Sequence, residues 1–93
     1  MISQPKSYRC KILVNKINPD YEVGTKMMIS GEIVDVAEEA SQDTFYAKGR
    51  YIQGYSFDFP LHIQPGEVIE ADLEFFGDPF HQNYQISNAT KVD

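Results

Sequence analysis

Cysteine occurs once in the chain, at Cys10, so no intrachain disulfide can form and the fold must rest on packing, as it usually does in intracellular proteins. Tryptophan is absent, and no apolar run approaches the roughly 18 residues that a membrane span requires. The opening Met1-Ile2-Ser3-Gln4-Pro5-Lys6 has no apolar stretch of the kind a secretory signal carries. The expected location is therefore cytoplasmic, which makes the glycosylation acceptor Asn88-Ala89-Thr90 a chance match. Positive charge is also scarce. Eight Lys and Arg against 14 Asp and Glu leave a net charge of -6, which repels phosphate backbones at long range and attracts basic partners.

Catalytic and metal chemistry are thin as well. His62 and His81 are the two histidines, both distant in sequence from Cys10, so no zinc-ligand spacing exists. His62 near Asp58 is a conceivable general-base pair, but no Ser or Cys stands in a nucleophile turn and no glycine-rich phosphate loop is present. The expectation is a protein that binds rather than one that catalyses, with neither cofactor nor metal.

What the chain does have is β-forming residues. Six Phe and six Tyr accompany recurrent Val, Ile and Thr, which favours strands over helices. Hydrophobic residues at 42% and charged residues at 24% place the chain among ordinary globular proteins, and 93 residues suit one domain over 1–93, with 1–7 as a flexible N-terminal segment.

Alternation predicts six strands. Tyr8, Cys10, Ile12 and Val14 share one face of the first, which ends before the turn signal Asn18-Pro19-Asp20. The second covers residues 26–36, where Met27 and Ile29 belong to one face and Val34 and Val36 to the other, with Gly31 at the change as a natural bulge or bend. Met27 and Met28 are adjacent, so one fills the core and the other faces out. Phe45, Ala47, Gly49 and Tyr51 line a third strand; Tyr55, Phe57, Phe59, Leu61 and Ile63 line a fourth. A three-residue loop over 53–55 makes these two a hairpin, with Tyr51 opposite Phe57, Gly49 opposite Phe59, Arg50 opposite Asp58 and Tyr46 opposite His62. Pro60 then points outward on an edge or a bulged strand. Ile69, Ala71, Leu73 and Phe75 give the cleanest half-buried strand, and Tyr84 and Ile86 point inward from the last.

A long bent strand, a hairpin, a Pro-Gly turn and a second hairpin resemble the five-strand order of an OB-fold barrel over residues 26–92, with residues 8–14 as an extra N-terminal strand. The stretch between the third and fourth barrel strands has no room for the helix that OB folds often place there. A six-stranded β-sandwich is the alternative. The OB resemblance implies a ligand face on the outer side of the second and third barrel strands. Here that means Tyr46, Lys48, Arg50 and Ile52 beside Ser56, Asp58 and His62, flanked by loops at 38–44 and at 78–83, the latter carrying Phe80.

Three functional readings follow. The first is a small protein-binding module, an accessory or regulatory subunit whose acidic surface and exposed aromatics, Phe76 and Phe80 with Val68, contact a larger and basic partner. The second is an OB-type single-stranded nucleic-acid binder, since Ala47-Lys48-Gly49-Arg50-Tyr51 interleaves cations with aromatics. The third is an acidic inhibitor mimicking nucleic acid through Glu70, Asp72 and Glu74. That acidic row is too widely spaced, almost 7 Å between alternate residues, to chelate one cation by itself. Homodimerisation through the Pro60 edge is a further possibility.

Overall fold

The computed structural model describes residues 7–19, 26–77 and 82–92. Five strands, β1 (Ser7–Pro19), β2 (Met27–Val36), β3 (Tyr51–Ser56), β4 (Val68–Gly77) and β5 (Gln82–Lys91), close into one barrel in the order β1-β2-β3-β5-β4. Every neighbouring pair is antiparallel except β3 and β5, which run parallel with Gly54 opposite Tyr84 and Tyr55 opposite Gln85. The protein is a small all-β barrel of OB-like order. Closure removes the sandwich alternative, and the N-terminal strand is no addition: β1 pairs with both β2 and β4 and is the barrel's own first strand.

The period-2 pattern is borne out where one side of a strand is buried. Cys10, Ile12 and Val14 of β1, Ile69, Ala71 and Leu73 of β4, and Tyr84 and Ile86 of β5 all point into the core. On β2 the buried row Ile29, Gly31 and Ile33 runs on without a break, so the change of phase is not at Gly31. It comes at Val34, the extra residue where Lys11 opposite Asp35 is followed by Ile12 opposite Ile33. Gly31 faces a bulge on the neighbouring strand instead, with Asn15 the extra residue between Val14 and Lys16. A third bulge, between Ser87 and Thr90 of β5, holds Asn88 at φ 54, a left-handed conformation that Asn tolerates better than most side chains.

The expected hairpin of residues 45–63 does not form. Residues 51–56 are one strand, β3, which pairs with β2 on one side and β5 on the other. Its supposed three-residue loop, 53–55, is the middle of that strand. The two flanking stretches become the ends of the barrel. Upstream, a short helix α1 (Glu38–Ser41) and a 3-10 turn (Thr44–Tyr46), capped by Asp43 accepting from the Phe45 N–H, bury Ala40 and Tyr46. Tyr46 meets Tyr8 and Tyr84 edge to face, and Phe45 stacks on Phe75 at 4.1 Å, so this segment covers the end where β1 begins and β4 ends. Downstream, residues 57–67 cross from β3 to β4 without a helix and bury Phe59 and Ile63 at the opposite end; Pro60 lies in this crossing, not on an edge strand.

Closure requires a residue without a side chain on β3. A Cβ added at Gly54 would lie 2.8 Å from the Tyr84 carbonyl oxygen and 3.1 Å from Ile86 Cδ1. Gly54→Ala is therefore expected to lower stability by about 1–3 kcal/mol in urea unfolding, because a backbone oxygen cannot swing aside. An unchanged midpoint would show that β3 and β5 do not meet at this position.

Candidate functional site

The structure scatters the residues that the hairpin register had gathered. Tyr46 is buried, not on a binding face: its hydroxyl accepts from the Phe75 N–H at 2.8 Å. Lys48 is exposed in the turn before β3. Arg50 donates from Nε to the Tyr84 hydroxyl at 3.0 Å and lies over the Phe45 ring, while Tyr84 in turn donates to the Phe45 carbonyl at 2.6 Å. Asp58 does not meet Arg50; it accepts from Ser56 Oγ at 3.1 Å and from the Asn88 N–H at 3.2 Å. His62 is exposed in the 57–67 crossing. Phe76 stays partly exposed on β4, whereas Phe80 lies outside the described residues.

Glu70, Asp72 and Glu74 do form a row on β4, but cations face the first two. Lys11 stands opposite Glu70 and Arg9 opposite Asp72. Arg9 reaches Asp72 at 3.4 Å and donates to the Asn88 carbonyl at 2.8 Å, and Asn88 Nδ2 donates to Asp72 Oδ2 at 2.8 Å. A cross-strand network of this kind ties β1, β4 and the β5 bulge together, while Glu74 stands opposite Ser7.

The true strand order moves the OB-type ligand face to the outer side of β2 and β3. With Ile29, Gly31 and Ile33 inward on β2, and Ile52, Gly54 and Ser56 inward on β3, the outward positions are Met28, Ser30 and Glu32 beside Tyr55, Gln53 and Tyr51. Tyr51 is 70% exposed and Phe57, just past β3, is 51% exposed. Tyr55 meets Phe57 edge to face at 6.1 Å, and the Lys26 ammonium sits 4.7 Å from the Tyr55 ring centroid. Met27 packs on the core, so Met28 is the outward member of the pair. Phe57 is firmly placed, because Asp58 beside it is held by Ser56 and Asn88, and Phe59 is buried.

No family model matches the chain, and no curated protein or solved structure matches it either.

Apolar alternation alone places Tyr51, Tyr55 and Phe57 in the core. The signal that points the other way is size. On 51–56 the row Ile52, Gly54, Ser56 is small and the row Tyr51, Gln53, Tyr55 is large, and a closely approaching strand selects the small row for the inside.

Among the described residues no three His, Cys, Asp or Glu side chains are placed to hold a metal ion. A shallow groove of about 330 Å³ lies between Arg9, Lys11, Asp35 and Glu70, with Cys10 and Val36 in its wall. Burial, reinforced by the nearby Asp72 charge, pushes the Cys10 thiol up to about 11, so it is neither a nucleophile nor a ready ligand at neutral pH. Burial likewise pushes the Tyr46 phenol up to about 12, against the opposing effect of the Phe75 N–H, and raises Tyr84. Each of these groups binds its proton more tightly folded than unfolded. Their stabilisation is complete below about pH 9, the ordinary thiol value, and is lost as pH rises through the folded values. Urea midpoints should therefore fall progressively above pH 9, less steeply in Cys10→Ala; a flat profile to pH 11 would contradict the burial of these groups.

Proposed function

We propose that the chain is a protein-binding module, an accessory subunit of a cytoplasmic complex, and that it docks through the outer face of β2 and β3. The observation that carries this reading is the exposure of Tyr51 and Phe57 on a face whose central positions, Met28, Ser30, Gln53 and Tyr55, carry no charge. The centres of protein interfaces are enriched in aromatics and Met and depleted of charge, and their dominant contacts come from rigidly held aromatic anchors. Both conditions are met by side chains on a closed barrel whose adjoining loop is pinned through Asp58. Other acidic residues stand away from these central positions, at Glu38, Glu39 and Asp43 and along β4, where they steer a basic partner toward the molecule without being desolvated at the centre of the face.

A single-stranded nucleic-acid binder would use the same aromatics as stacking platforms, but it also needs a cationic track for the phosphates. Among the described residues the charged side chains on the outer side of β2 and β3 are Lys26, Glu32 and Asp35, one cation against two anions, which is no track for phosphates.

Tyr51→Ser combined with Phe57→Ser tests the reading. Tagged protein expressed in its source cells should co-purify with a protein partner in fixed ratio. The double variant should lose that partner by at least tenfold, with its melting temperature unchanged because both side chains are exposed. Labelled oligonucleotides at low salt should give no anisotropy change. Micromolar oligonucleotide binding that the double variant abolishes would overturn the proposal in favour of nucleic acid.

A further inference from the structure

Two charged residues of the β2–β3 face, Lys26 and Glu32, stand at opposite ends of the rows where β2 and β3 pair. Lys26 precedes β2, and Glu32 lies six residues on, about 20 Å away at strand rise. The two most exposed aromatics are also at opposite ends, Tyr51 beside Glu32, and Phe57 at the Lys26 end next to Tyr55. We infer that this face pairs with a second copy of the same chain about a two-fold axis lying across the strands, midway between Met28 and Ser30.

A surface that pairs isologously must be complementary to itself after rotation, so that residue i meets j and j meets i. Stacking β2 on β2 of the copy, antiparallel, about that axis brings Lys26 over Glu32 of the copy and Glu32 over its Lys26. The same register lays Phe57 over Tyr51 of the copy and Tyr55 over its Gln53. One register thus joins opposite charges at both ends and joins the most exposed aromatics to each other. Shifting the axis to the Ser30–Gln53 row sets Met28 against Glu32, and turning it along the strands sets both charges against aromatics. Aligned packing of twisted sheets accommodates the chosen arrangement. The chain as a whole carries a net charge of -6, which repels a second copy at long range, so association depends on complementarity at the face itself.

The face is about 20 Å long and about 10 Å wide, smaller than the roughly 800 Å² a side of a standard interface, so the dimer is weak and exchanges in the micromolar to millimolar range. This inference rests on the proposed docking role of the same face, which a second copy occupies when the larger partner is absent, as in the purified protein.

Sedimentation equilibrium of the purified chain from about 10 μM to about 1 mM tests it, a span chosen to cover that range. The average mass should climb from 10.6 kDa toward twice that value. Lys26→Glu and Glu32→Lys should each weaken association by tenfold or more, and the two together should restore it. Residues about 20 Å apart within one chain cannot restore each other except across a dimer. A monomer throughout, a dimer that neither reversal weakens, or a double reversal that stays monomeric would overturn the inference. If the wild type is monomeric but the Tyr51- and Phe57-dependent protein partner is still captured, self-pairing alone fails. Oligonucleotide binding through Tyr51 would overturn both.

Discussion

The barrel depends on the seam where β3 meets β5. Four of the five strand contacts are antiparallel ladders of local or simple topology; the fifth is parallel, and two residue pairs mark it, Gly54 with Tyr84 and Tyr55 with Gln85. A parallel neighbour cannot be supplied by a tight turn, so closure there relies on packing. Gly54 lets the backbones approach, and the Tyr84 ring, bonded to the Phe45 carbonyl and to Arg50, locks the 3-10 turn over the adjacent barrel end. Once the seam is closed, the inner row of β3 must be small. Its large side chains are left outside, and the surface aromatics are a consequence of how the barrel shuts.

Charge is arranged around the same constraint. Asp72 of the acidic row on β4 is tied to Arg9 of β1, which it shares with the bulge at Asn88, and Lys11 stands opposite Glu70. Asp58 is anchored to the same bulge from the crossing that follows β3. Surface ion pairs of this type contribute little singly, about 0–1 kcal/mol. Their value here is positional: the Arg9–Asp72 pair ties β1 and β4 to the β5 bulge, and the hydrogen bonds of Asp58 to Ser56 and Asn88 fix the loop that carries Phe57.

The sequence was legible wherever one side of a strand is fully buried. β1, β4 and β5 read correctly from Cys10, Ile12 and Val14, from Ile69, Ala71 and Leu73, and from Tyr84 and Ile86, because alternation there coincides with apolarity. It was misread at 45–63, where aromatics sit on both sides of the chain: apolarity alone assigns Tyr51, Tyr55 and Phe57 inward, and only the tight approach to β5 assigns them outward. Tyr46 went the opposite way, from an expected surface contact to a buried phenol, because residues 44–46 wind into a 3-10 turn. The expected ligand face shares this error, since an OB-like surface can be located only after the strands are numbered correctly, and counting residues 8–14 as an addition displaces every strand by one.

Nuclear Overhauser contacts along β3 in a ¹⁵N- and ¹³C-labelled sample test the central claim most directly, because hairpin and seam place different protons together. Cross-peaks from Gly54 and Tyr55 to Tyr84 and Gln85, with none between the backbones of Tyr51 and Phe57, are the predicted result. Cross-strand contacts between Tyr51 and Phe57 would instead mean a turn at residues 53–55, with these aromatics facing the core and no docking face on β2 and β3.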